Sequence, residues 1–262
     1  MNAHSSNSTV TVVSQRKGWT VSDFSELKEF RDLFYFLVWR DIKALYAQTI
    51  LGFAWAILNP LVQLILFTLI FGKVAKLPTD GIPYALFAAV AIIPWTYMSE
   101  SMGKASASLV SGQGMLGKIY FPRILFPMTA VLAKLVDFTI SLLLLAAVMS
   151  YYQVSLTWNL IYLPLMLSLM ILIPAGIGMW LSALAIRYRD VKFAMPFIMR
   201  MLIYTAPILY SASAIPDNFR LLYSLNPLVA VIEGFRSCLL GTPMQFEFMV
   251  PGAITAILLF VS

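Results

Sequence analysis

Residues 50–71 read ILGFAWAILNPLVQLILFTLIF and carry no charged side chain. A run of this length and apolarity matches the roughly 20 residues that an α-helix needs to cross the hydrocarbon of a bilayer. Similar runs recur near 84–108, 124–149, 160–186, 193–210 and 246–262. The whole chain is 60% hydrophobic and 11% charged, too little polar surface for a water-soluble domain of 262 residues. In lipid every backbone group must be satisfied internally, so the expected fold is an all-α polytopic membrane protein with six transmembrane helices.

Charge placement orients it. Of 18 basic and 12 acidic residues, eleven lie in the first 43 positions. Arg187, Arg189 and Lys192 form a second cluster, and Lys118 and Arg123 another. Counted with the cytoplasmic side are also Lys104 and Arg200; Lys73, Lys76, Arg220 and Arg236 fall outside, and Lys134 falls within a span. The excess of cations on one side places both termini in the cytoplasm. The basic residues flank apolar spans and do not interleave with exposed aromatics, which argues against a nucleic-acid partner.

Residues 1–19 form a polar tail, expected to be disordered. Over 20–46, Phe24, Leu27, Phe30, Phe34, Leu37 and Val38 recur at helical spacing against Glu26, Glu29, Arg31 and Asp32. That pattern predicts an amphipathic helix lying in the membrane interface. Between the fifth and sixth spans, residues 216–241 are broken by Pro216, Pro227, Gly234 and Gly241. Two short helices, Phe219 to Tyr223 and Leu228 to Leu240, fit there as re-entrant segments.

Residues 112–118, Gly-Gln-Gly-Met-Leu-Gly-Lys, have the spacing of a phosphate-binding loop. Ile119 stands where that loop needs Ser or Thr for magnesium, and no buried strand precedes it, so no nucleotide site is read there. A contact surface for another protein is the better reading. One cysteine, Cys238, and one histidine, His4, offer neither a metal site nor a nucleophilic pair. Ionisable residues near or within the spans are Glu100 with Lys104, Lys134 with Asp137, Arg200, and Glu233 with Arg236. Each couple has i,i+3 or i,i+4 spacing, so they read either as a polar conduit or as mutually neutralising pairs.

A more specific pattern appears in order along the chain: Arg40-Asp41-Ile42-Lys43, Gln48-Thr49-Ile50-Leu51-Gly52, Asn59-Pro60, Lys118-Ile119-Tyr120-Phe121-Pro122, Arg187-Tyr188-Arg189-Asp190, Ala206-Pro207-Ile208-Leu209-Tyr210 and Leu225-Asn226-Pro227. The combination resembles the permease subunit of polysaccharide ABC exporters, the carriers of O-antigen, capsule or teichoic acid. Ala206 stands where that family commonly has Ser. The resemblance implies a channel-forming subunit in a bacterial cytoplasmic membrane. It implies assembly with a second copy of itself and two copies of an ABC ATPase that binds ATP and magnesium, leaving this chain without a cofactor or catalytic residue. The cargo it implies is a lipid-linked glycan, with membrane lipid around the spans. For the ATPase-coupling surface it implies Arg31, Arg40, Asp41, Lys43, Gly112, Gly114, Gly117, Lys118 and Tyr120. For the channel or gate the candidates are Trp95, Tyr97, Glu100, Lys134, Asp137, Tyr204, Tyr210, Asn226, Glu233 and Arg236. Competing expectations are a drug or lipid exporter and a membrane glycosyltransferase; the latter normally needs clustered acids, which the chain does not present.

Overall fold

The computed structural model describes residues 30–47, 50–116, 122–155 and 157–261. Among them every regular element is helical. The elements are α1 (Arg31–Tyr46), α2 (Trp55–Phe67), α3 (Tyr84–Ser111), α4 (Gln113–Leu116), α5 (Leu125–Ala133), α6 (Leu135–Tyr151), α7 (Leu163–Arg187), α8 (Asp190–Thr205), α9 (Asp217–Ser224), α10 (Pro227–Leu240) and α11 (Phe246–Val261). A 3₁₀ turn at Gly52–Ala54 leads into α2, and a π-helical stretch, Thr68–Val74, prolongs it. Among the described residues three continuous segments are long and apolar enough to cross a membrane: Gly52–Val74, Leu125–Tyr151 and Trp158–Arg187.

The centre is α3. Its residues Ala88 to Ile93 are buried all round, as expected of a helix enclosed by others rather than resting on a surface. Its most extensive neighbour is α7, and α2, α5, α6, α8 and α10 also pack on it. Small residues permit this crowding, since helices in lipid associate by close packing. A Cβ on Gly178 of α7 would stand 2.4 Å from the Ala105 Cβ of α3, and one on Gly252 of α11 would stand 2.5 Å from the Ala230 Cβ of α10.

Proline interrupts the hydrogen-bond ladders, and side chains repair them. Pro60 lies inside α2 and has no N–H to give the carbonyl of Ala56, four residues back. The Ser141 hydroxyl of α6 lies 2.7 Å from that carbonyl and donates to it. The Asn59-Pro60 interruption therefore leaves the helix continuous and fastens α2 to α6.

Several boundaries differ from the sequence expectation. The first span runs on to Val74, past Gly72. The second extends to Ser111. The third breaks at Lys134 into α5 and α6, with no proline or glycine there to announce it. The fifth stops at Thr205 rather than Tyr210, because Ala206 precedes Pro207 and adopts extended geometry (φ −102°, ψ 154°). The gate-region helices are slightly longer than expected, starting at Asp217 and Pro227. Of the interfacial helix only the part from Arg31 onward is described, and the tail expectation for 1–19 lies outside the described residues.

Gly178→Val should wedge a branched side chain against Ala105. Overpacking of this kind costs about 1–3 kcal/mol. The expected outcome is a lower unfolding temperature in detergent, followed by tryptophan fluorescence, with Gly103→Ala as a control because nothing lies within 4 Å of its Cβ position.

Candidate functional site

The helix α1 packs beside α5, its middle against the start of α5 and its C-terminal end near Lys134 and Asp137. Leu37 is fully buried and joins Leu109, Leu125 and Phe126, with Phe30, Leu33 and Phe34 packed beside them. Tyr35, Phe36 and Trp39 remain exposed, the residue types that favour headgroup depth. Lys43 stacks 5.4 Å from the Trp39 ring. Arg40 pairs with Asp41 at 2.8 Å, while Arg31 and Asp32 form an open contact at 3.3 Å that contributes little in water.

Between α1, α3, α4 and α5 opens a cleft of about 720 Å³. Arg40, Asp41, Gly112 and Gly114 line it together with Lys104 and Ser111. Four of the nine predicted coupling residues thus meet in one place. A Cβ on Gly112 would lie 2.4 Å from the Phe126 ring, so this glycine lets the chain turn tightly over α5. Gly117, Lys118 and Tyr120 lie outside the described residues.

The far end of α1 reaches a charged cluster. Lys134, at the break between α5 and α6, is buried and pairs with Asp137 at 2.6 Å and with Glu100 of α3. The Tyr46 hydroxyl donates to the other Asp137 oxygen. Burial, and then the Asp137 hydrogen bond, push the Tyr46 phenol well above its ordinary range, so it stays protonated. A cavity of about 110 Å³ beside the cluster is lined by these four residues with Trp55, Asn59, Tyr97 and Ser141. The expected Glu100–Lys104 pair is not what forms. Glu100 turns inward to the desolvated Lys134, and Lys104 projects into the cleft beside Arg40, because the helix break brings Lys134 over α3.

The gate candidates have structural partners. Glu233 and Arg236 form a 2.7 Å ion pair that is almost fully buried, and the Arg236 guanidinium sits 3.5 Å over the Phe87 ring. They lie inside the subunit. Asn226 caps α10 by accepting from the Leu228 N–H at 3.1 Å, and its amide donates to the Thr205 carbonyl. Tyr210 lies beyond α8 and donates to the Tyr204 carbonyl at 3.0 Å. Trp95 and Tyr97 are core residues, the latter donating to the Val131 carbonyl at 3.2 Å. Tyr204 alone among the aromatic candidates is openly exposed, at 58%. Sequence reading missed Tyr46, Ser141 and Asp80, which accepts from Ser211 and Ser213 and so joins two loops. Tyr46 stands 91 residues from Asp137, a separation with no local signal.

Apolar helices round an enclosed centre, with ion pairs buried among them, define the class of polytopic helical membrane proteins. A family model, ABC-2 type transporter, matches residues 32–240, and the chain belongs to that family. It is 28% identical over 215 residues to the O-antigen export system permease protein RfbA of Myxococcus xanthus, covering 81% of this chain and 82% of that one. It is 25% identical to the RfbA permease of Klebsiella pneumoniae, covering 83% and 84%. It is 24% identical to the polysialic acid transport protein KpsM of Escherichia coli, covering 77% and 78%.

Lys134→Met should strand two carboxylates against α1 and α3. Breaking a buried ion pair from one side costs about 3–5 kcal/mol. Partial exposure of Glu100, at 34%, sets the expectation near the lower figure. Unfolding in detergent should show the loss, and the triple variant Glu100→Gln, Lys134→Met, Asp137→Asn should recover most of it.

Proposed function

We propose that the chain is the permease subunit of an ABC exporter that moves a lipid-linked polysaccharide outward across a bacterial cytoplasmic membrane. The observation that carries this reading is the agreement of relatives named for O-antigen export and for polysialic acid transport, each aligned over more than three quarters of both chains. In this reading six helical segments cross the bilayer: the three apolar ones and α3, α8 and α11. The pair α9 and α10 forms re-entrant gate helices at the outer mouth, and both termini are cytoplasmic.

A hydrated glycan cannot partition into hydrocarbon, so two copies enclose a polar route between them. ATP and magnesium bind to two copies of a separate ATPase, which engages α1 and the cleft beside it. Nucleotide binding then moves α1, and Tyr46 passes that motion to Asp137, Lys134 and α3. Coupling of this kind requires the contacts at the two ends to differ between the two states of the pair.

Purification in mild detergent should bring down an ABC ATPase in equal amount. The reconstituted complex should export glycan with substrate-stimulated ATP turnover, and absence of both would overturn the reading. Tyr46→Phe, which removes only the hydroxyl linking α1 to Asp137, should leave the ATPase bound and hydrolysing. Glycan exported per ATP should fall several-fold, measured by counting labelled glycan against released phosphate.

A further inference from the structure

Arg200 lies ten residues into the 16-residue helix α8. At 1.5 Å per residue that is about 15 Å from Asp190; with α8 crossing from a cytoplasmic edge at Asp190, as the six-span reading has it, Arg200 falls near the middle of a hydrocarbon layer about 30 Å thick. Arg200 is exposed on the subunit surface, whereas Met195 on the opposite face is buried. Among the described residues no carboxylate or hydrogen-bond partner reaches it. The other charges at comparable depth are already engaged: Glu100 and Asp137 hold Lys134, and Glu233 holds Arg236.

An uncompensated guanidinium at this depth is costly against lipid, and such groups face a bundle interior or a water-filled cavity. Its neighbours along the helix are Phe193, Phe197 and Tyr204, at spacings of four, three and four residues through Arg200, so all four share one face. The three aromatics are 77%, 63% and 58% exposed. In a symmetric pair each copy contributes an identical Arg200 stripe to the route. No carboxylate lies along this stripe between Phe193 and Tyr204 to neutralise the two arginines. A dry contact between the two arginines would be repulsive, which favours a hydrated stripe over a sealed one.

We infer that the α8 stripe lines the route between two copies and that Arg200 holds an anionic group of the passing substrate, a phosphate of its lipid carrier or a carboxylate of an acidic sugar. This rests on the two-copy export reading. Guanidinium suits both oxyanions through paired donors, and the flanking rings offer flat apolar faces on which a chain can slide.

The test uses the whole complex in proteoliposomes. In a Cys238→Ala background, Arg200→Cys should react with a membrane-impermeant charged thiol reagent at least tenfold faster than Leu143→Cys, a position 65% exposed on α6. Equal rates would overturn the placement. Arg200→Gln should lower export at limiting substrate about tenfold, and Arg200→Lys should retain most of it; Arg200→Gln exporting like the unaltered protein would overturn the anion contact. Two substrates separate the sources, a neutral glycan on polyprenyl pyrophosphate and an acidic glycan on the same carrier. Loss with both assigns the phosphate, and loss with the acidic glycan alone assigns the carboxylate. Should the unaltered complex export neither, the export reading fails, while the labelling result still decides whether the stripe meets water.

Discussion

The ammonium of Lys134 joins three helices and, through Asp137, a fourth, in one charged cluster. It stands where the third span breaks, bonds Asp137 one turn onward and Glu100 on the central helix, and through Asp137 reaches Tyr46 at the end of α1. Inside a bilayer neither the lysine nor the carboxylates could persist alone, because each would carry its full desolvation cost. Their mutual requirement fixes the register of three helices at once. It also ties α1 to the helix at the bundle's centre.

The same constraint governs the backbone. Pro60 deprives the Ala56 carbonyl of its partner, and Ser141 restores it from another helix. At the other end, Pro207 ends α8, and Asn226 answers the Thr205 carbonyl while capping α10. In each place an interrupted ladder becomes a link between elements. Breaks that look like defects in the sequence serve as joints in the fold.

Composition and apolar periodicity made the all-helical membrane class legible, along with the approximate position of each long segment. Lipid makes these readable, since it punishes every exposed backbone group and leaves helices as the open solution. The break at Lys134 was not legible, because no proline or glycine marks it and one of the two carboxylates it meets, Glu100, stands 34 residues away on another helix. Pairing by spacing succeeded for Lys134 with Asp137 and for Glu233 with Arg236. It failed for Glu100 with Lys104, where a tertiary partner offered a drier and better neutralised site. Trp95 and Tyr97 read as channel candidates from residue type alone, but type does not distinguish an aromatic that lines a route from one that fills the core.

These outcomes separate two kinds of membrane-embedded charge. Glu233 and Arg236 close on each other, with Phe87 covering the guanidinium, and Lys134 closes on two carboxylates. Such groups are consistent with structural roles, since every charge is answered within one subunit. Arg200 differs in that its own described surroundings leave it open, between aromatic side chains that are also open. A charge answered internally stiffens a bundle, although Arg236 keeps its Nε and Nη2 without a hydrogen-bond partner among the described residues. Arg200 is therefore the residue whose counter-charge is not among the described residues, and whatever answers it must come from beyond them.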